Sequence, residues 1–234
     1  MDGTTAAELC ASYGVTLRAD EQAGAEGGGE RAAKCAGEGA AEGGAHSSCP
    51  LITRLSSGEP VSVLEASLVP LLQRQLDEAA SAADGPPDHI VLLCAGRFDG
   101  LRPPAGASLL KPFECAAAVA AALGVSAALL CVPTADQASH SMTRWRSRLS
   151  PAATLRTHVL GEDPSEAELE AVAVAALAVG PGCAVILDFV GHPPEVSAAL
   201  RRIMHDSARG AAPTVIDVGE SGLAMLRATL MAHA

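Results

Sequence analysis

From Pro50 onward the chain alternates between two spacings, and that alternation restricts the fold more than any other feature. Short strand-like runs, apolar in "HIVLLC", "SAALLCVP", "CAVILDFVG" and "PTVIDVG" and more polar in "TLRTHVLG", are separated by segments with apolar residues at helical spacing. These are "LEASLVPLLQRQLDEAASAA", "PFECAAAVAAAL", "ADQASHSMTRWRSRL", "PSEAELEAVAVAALAVG", "PEVSAALRRIMHDS" and "SGLAMLRATLMA". A continuous apolar run bounded by turn residues is the pattern of a strand buried on both faces. Alternating strands and helices lead to a parallel α/β sheet with right-handed crossovers. Ahead of them, "PLITRLSSGEPVSV" reads as two short strands around a Ser-Gly turn. Pro70 is expected to interrupt the first helix unless it lies in the first turn.

Residues 20–49, "DEQAGAEGGGERAAKCAGEGAAEGGAHSSC", break the pattern. Such a Gly/Ala/Glu tract cannot bury enough apolar area to offset its ordering entropy, so a disordered insertion is expected. "TTAAELCASYGV" before it has the form of a threonine-capped helix.

Composition excludes several functions. The formal net charge is −11 and lysine occurs only at 34 and 111. With no basic stripe, neither nucleic acid nor an anionic membrane is an expected partner. The seven cysteines form no Cys-x-x-Cys pair and no zinc-spaced His/Cys run, so no metal site is expected. Their scatter suits a reducing compartment. The stretch Cys115–Pro133 is long enough to span a bilayer, but its Gly turn and proline read as helix, turn and strand. No secretory pattern opens the chain, and a cytoplasmic location is the expectation.

Ligands of parallel α/β folds bind beyond the carboxyl ends of strands. Two strand ends stand out. "VLLCAG" delivers Cys94, Ala95 and Gly96; "AVILDFVGH" delivers Asp188, Phe189, Gly191 and His192. Cys94 has two readings, a small buried filler or a site thiol. Asp188 either caps the next turn or faces the cleft. His192, alone in a loop before two prolines, is expected to be solvated, and the two glycines to serve turns. Cys115, Cys131 and Cys183 read as core filler, and Cys10, Cys35 and Cys49 as bystanders. Trp145, flanked by Arg144 and Arg146, reads as a clamp between a helix and the sheet.

Five segments in order, from Leu51 to about Leu230, resemble the AroM family of the aspartate/glutamate racemase superfamily. "LITRLSSGEPVSVLEASLVPLLQRQLDE" is similar to its TRL-x-D-G stretch and following helix, and "IVLLCAGRFDGL" to its LLCTGEFP segment. "LLKPFE" resembles its LLEP turn, "CVPTADQASHSMTRW" its VP…EQ…KW stretch, and "AVILDFVGHPPE" stands where DCMGY is usual.

The resemblance implies two Rossmann-like lobes, aspartate/glutamate racemase-like, with the site between them. The boundaries are then an N-terminal segment 1–49, an incomplete first lobe 50–112, a second lobe 113–212, and a strand and helix, 213–234, returning toward the first lobe. It implies a small carboxylate ligand, no cofactor, and Cys94 as the catalytic thiol. Ala95, Gly96, Asp188, Phe189, Gly191 and His192 would line the ligand; a homodimer is a candidate assembly. In the superfamily two cysteines on opposite faces of the substrate take and return a proton. Here Phe189 stands at the second cysteine's position and Ala95 at that of the threonine after the first. Two-base racemisation is therefore not expected, and single-cysteine isomerase or lyase chemistry stands against a non-catalytic binding or regulatory role. The family's opening strand and IGQ-x-PR-like loop have no counterpart ahead of "MDGTTAAELC", so a missing first strand is a further expectation.

Overall fold

A computed structural model describes residues 50–54, 60–83, 85–180, 182–207 and 213–232. The expectations for residues 1–49, the helix, the insertion and three of the cysteines, lie outside the described residues.

The second half of the chain holds the larger sheet. Strands β5 (Ala127–Val132), β6 (Thr154–Val159), β7 (Cys183–Leu187) and β8 (Thr214–Asp217) form a four-stranded sheet in the order β6-β5-β7-β8, every pairing parallel. Successive side chains on a strand face opposite sides, and here both sides are apolar. Ala128, Leu130, Ala184 and Ile186 join a cluster built on α2 (Pro112–Ala122) and α3 (Ala138–Arg146), through Phe113, Ala116, Ala117, Ala120 and Trp145. Leu129, Cys131, Cys183, Val185 and Leu187 join the opposite cluster, against α4 (Glu166–Val179) and α5 (Pro194–Ser207). Helices therefore cover both faces, as the alternating pattern predicts.

Local chemistry sets the helix starts. Pro112 occupies the first turn of α2, where its missing N–H costs nothing. The Ser165 hydroxyl accepts from the Glu168 N–H, and the Glu168 carboxylate accepts from the Ser165 N–H, closing a capping box on α4.

The first half is less regular. β1 (Pro50–Arg54) and β2 (Pro60–Leu64) pair antiparallel, and α1 (Glu65–Ala80) follows directly. Pro70 lies inside α1, beyond its first turn, and the helix continues past it. β3 (His89–Val91) and β4 (Ser108–Leu110) pair parallel. "HIVLLC" is thus a shorter and less buried strand than its sequence predicts: three half-buried residues, after which the Cys94 N–H donates to the Leu92 carbonyl at 2.7 Å and turns the chain. Parallel neighbours need a long crossover, usually a helix. Here the crossover is residues 92–107, which contain no helix.

The last two elements divide between the halves. The expectation that the final strand returns to the first lobe is corrected: β8 completes the second sheet, pairing Leu187 with Asp217. Its helix α6 (Val218–Ala232) makes the return, packing on α2 and touching β3 and β4. Gly222 permits this, because a Cβ there would lie 2.8 Å from Pro112 Cγ. Among the described residues no helix is long and apolar enough to cross a membrane.

Candidate active site

Side chains after β3 alternate between the two halves of the molecule. Leu93 and Ala95 pack against the cluster of Phe113, Trp145, Ile186 and Val190. Cys94 turns the other way, toward Phe98, Leu101, Leu51 and Leu76. The thiol is half-buried. Burial pushes it above its ordinary pKa; the Gly96 N–H and the Arg144 charge act against that rise, and the Glu65 carboxylate adds to it. At neutral pH Cys94 is therefore a thiol, with the Gly96 and Ala95 N–H groups and the Arg144 charge in place to stabilise a thiolate once formed.

The turn after Cys94 is tightly held. Phe98, a non-glycine residue, has φ +46° and is 1% exposed. Its N–H donates to Glu65 Oε1 at 2.7 Å and its carbonyl accepts from Lys111 Nζ at 2.8 Å. Its ring covers Gly96, where a Cβ would stand 2.5 Å from Phe98 Cε2.

At the end of β7 the Asp188 side chain is fully buried. Arg144 Nη2, from α3, meets its Oδ2 at 2.6 Å, and the Ser141 hydroxyl donates to the same oxygen. Oδ1 has no hydrogen-bond partner among the described residues. The Arg144 guanidinium lies 4.8 Å above the Phe113 ring, which meets Trp145 edge-on at 5.0 Å. Asp188 therefore neither caps the following turn nor stands open to a cleft; it is one half of a buried ion pair. Trp145 clamps α3 to the sheet, as its sequence predicts.

Phe189 is half-buried, and its ring folds back over Gly191, where a Cβ would lie 2.4 Å from ring carbons. It meets His192 edge-on at 5.1 Å. The expectation of a solvated His192 is corrected: it is 3% exposed, and its Nε2 lies 3.0 Å from the Gly161 carbonyl. Burial lowers its pKa, with the Gly161 carbonyl opposing, so the neutral ring donates from Nε2. Cys115, Cys131 and Cys183 are buried, and burial pushes Cys131 up to about 12.

Sequence reasoning singled out the two strand ends but missed the charged side chains that support them: Arg144, Glu65 and Lys111. Each comes from a different helix start or face, and their pairing is set by tertiary packing. "KPFE", with a lysine at the entrance of α2, offered a weak signal for one of them.

A doubly covered parallel sheet with a buried ion pair at one strand end, and a half-buried thiol just past β3 of the smaller sheet, define an α/β protein. Over residues 39–207 the sequence matches the AroM protein family, and the chain belongs to that family. No curated protein matches it. Similar solved structures include glutamate racemase RacE1 of Bacillus anthracis, at 13% identity, covering 71% of this chain and 66% of that one with TM-score 0.47. Another is the Francisella tularensis glutamate racemase in complex with D-glutamate, at 11% identity, 72% and 65% coverage and TM-score 0.44. A double mutant of arylmalonate decarboxylase in its liganded form gives 15% identity, 72% and 74% coverage and TM-score 0.49. The chain spans just under two thirds of the length of each racemase.

Proposed function

We propose that this AroM-family protein binds a small carboxylate between the ends of β3 and β7 and that Cys94 is the group that acts on it. The observation that carries the reading is the setting of the thiol: neutral through burial, with the Gly96 N–H and the Arg144 charge beside it. A neutral thiol is a proton donor. When a carbanion develops next to the substrate carboxylate by loss of carbon dioxide, the Sγ proton passes to that carbon. In an isomerisation the small thiolate fraction of Cys94 takes a proton from one carbon, and the thiol so formed returns it to another. The thiolate left behind gains from the amide and the guanidinium. Phe189 cannot return a proton from the other face, so the chemistry is a one-thiol isomerisation or decarboxylation.

The test is thiol labelling of the purified protein. Cys94 should react with iodoacetamide, and a small dicarboxylate such as malonate should slow it, while C94S loses any turnover. Labelling unaffected by any carboxylate would refute the reading. Cofactor-free inversion of aspartate or glutamate would refute the one-thiol assignment.

A second reading, a binding or regulatory protein without turnover, is favoured by one observation: Cys94 packs among Phe98, Leu101 and Leu76, where burial suppresses thiolate formation. Dicarboxylate protection without any turnover that depends on Cys94 would select it.

A further inference from the structure

Backbone strain in a folded chain persists only where surrounding contacts over-determine it. Phe98 is such a place. L-residues with bulky side chains rarely adopt its left-handed conformation. No tight hairpin requires it here, since residues 92–107 form a long crossover between β3 and β4.

Three contacts enforce it. The buried Glu65 carboxylate, on the first residue of α1, accepts from the Phe98 N–H at 2.7 Å. Lys111, immediately before α2, donates to the Phe98 carbonyl at 2.8 Å. The Phe98 ring closes over Gly96 at a distance that only glycine tolerates. One peptide segment is thus gripped on both its donor and its acceptor side by charged side chains from two different helices. The residue pressed by its ring lies two positions past Cys94, which packs in the same cluster as Phe98, and its N–H is among the groups that oppose the rise in the thiol's pKa.

We propose that Glu65 and Lys111 are positioning residues that clamp the Phe98 backbone from both sides and so hold the Gly96 turn in place beside Cys94. The clamp fixes the donor that a thiolate needs, and it fixes it before any ligand arrives. A charge-assisted hydrogen bond is stronger and shorter than a neutral one, which suits a grip that must hold a strained turn. The inference deepens the function proposed above, because it assigns the support of the Cys94 thiol. It is testable on the thiol alone, so its failure is distinct from a failure of carboxylate binding.

The experiment measures the pH midpoint of iodoacetamide alkylation at the Cys94 peptide, by mass spectrometry, in the full chain. Midpoint separates acidity from exposure, which moves the plateau rate. Glu65→Gln keeps an acceptor for the Phe98 N–H and removes a charge that opposes ionisation, so its midpoint should fall below wild type. Glu65→Ala removes the same charge and the grip as well. Its midpoint should lie above that of Glu65→Gln by about half a pH unit, the size of one modest hydrogen bond. Equal midpoints would overturn the proposal, since loss of charge alone predicts them.

Lys111→Met tests the other grip and covers the case in which Glu65→Ala fails to fold. Measured in ~1 M salt, where screening reduces charge effects beyond about 3 Å, its midpoint should rise and Lys111→Arg should restore it. An unchanged Lys111→Met midpoint would overturn the proposal. Thermal melts of each variant separate a shifted thiol from a loosened fold.

Discussion

Arg144 and Asp188 bind each other where neither has much water: their side chains are 10% and 0% exposed. Removing one partner of such a pair leaves an uncompensated buried charge. Arg144→Met should therefore lower stability by about 3–5 kcal/mol, read as a fall in the urea midpoint. Among the described residues, Ser141 alone would remain on the carboxylate. A loss below about 1 kcal/mol would mean that water reaches Asp188 in the variant. Ala95 and Phe189 pose the opposite case. Both are apolar at strand ends, and both pack: Ala95 on the Phe113–Trp145 cluster, Phe189 on Gly191 and His192. Their neighbours show why apolar residues fit these positions, whichever function the site has.

At the scale of elements, the joint between α2 and α6 ties the two halves together. Pro112 Cα lies 3.1 Å from where a Gly222 Cβ would stand, and backbone cannot swing aside as a flexible side chain can. Gly222→Ala should cost about 1–3 kcal/mol by overpacking, again read as a urea midpoint. An unchanged midpoint would show that α6 can lift from α2 freely. The same scale shows what the sequence could and could not disclose. β5 and β7 were readable because their runs are apolar on both faces, and α5 because its turn residues bound it on each side. β3 was over-read. An apolar run cannot report that the Cys94 N–H bends back to Leu92 and ends the strand. β4, three residues long, carries too little pattern to be seen. Of the site, Cys94 and Asp188 were legible from their places at strand ends. The partners of each were not, because Glu65 lies 33 residues from Phe98 and Arg144 lies 44 from Asp188, and no local spacing encodes such pairings.

For the molecule as a whole, two buried groups set opposing responses to pH. Burial raises the Asp217 carboxyl to about 7, with the Glu220 N–H opposing the rise, the Glu220 charge adding to it, and the Gly219 N–H and Arg201 opposing it more weakly. The folded state then holds a proton that the unfolded state has released, so Asp217 contributes stability below about pH 4 that is lost as pH rises through about 7. His192 works the other way. Its folded pKa is depressed, so its contribution is present at neutral pH and lost as pH falls below its unfolded value near ~6.5. Asp217→Asn keeps an oxygen to accept the Glu220 N–H and removes the titration. Its urea midpoint should decline less than that of wild type between about pH 4 and 7. Parallel curves for the two proteins would refute this assignment.

The crossover between β3 and β4 has a consequence for how such a protein can change over generations or in an engineer's hands. In most parallel α/β folds a helix makes the connection and the loop beside it is free to vary, so new chemistry can be tried at little risk to the scaffold. Here residues 92–107 are both the connection and the loop that carries Cys94. An insertion or deletion that retunes the thiol also changes the span between two paired strands. Adaptation at this site is therefore confined to exchanges of side chain at fixed length, and loop grafting from relatives should succeed only when the graft preserves that length.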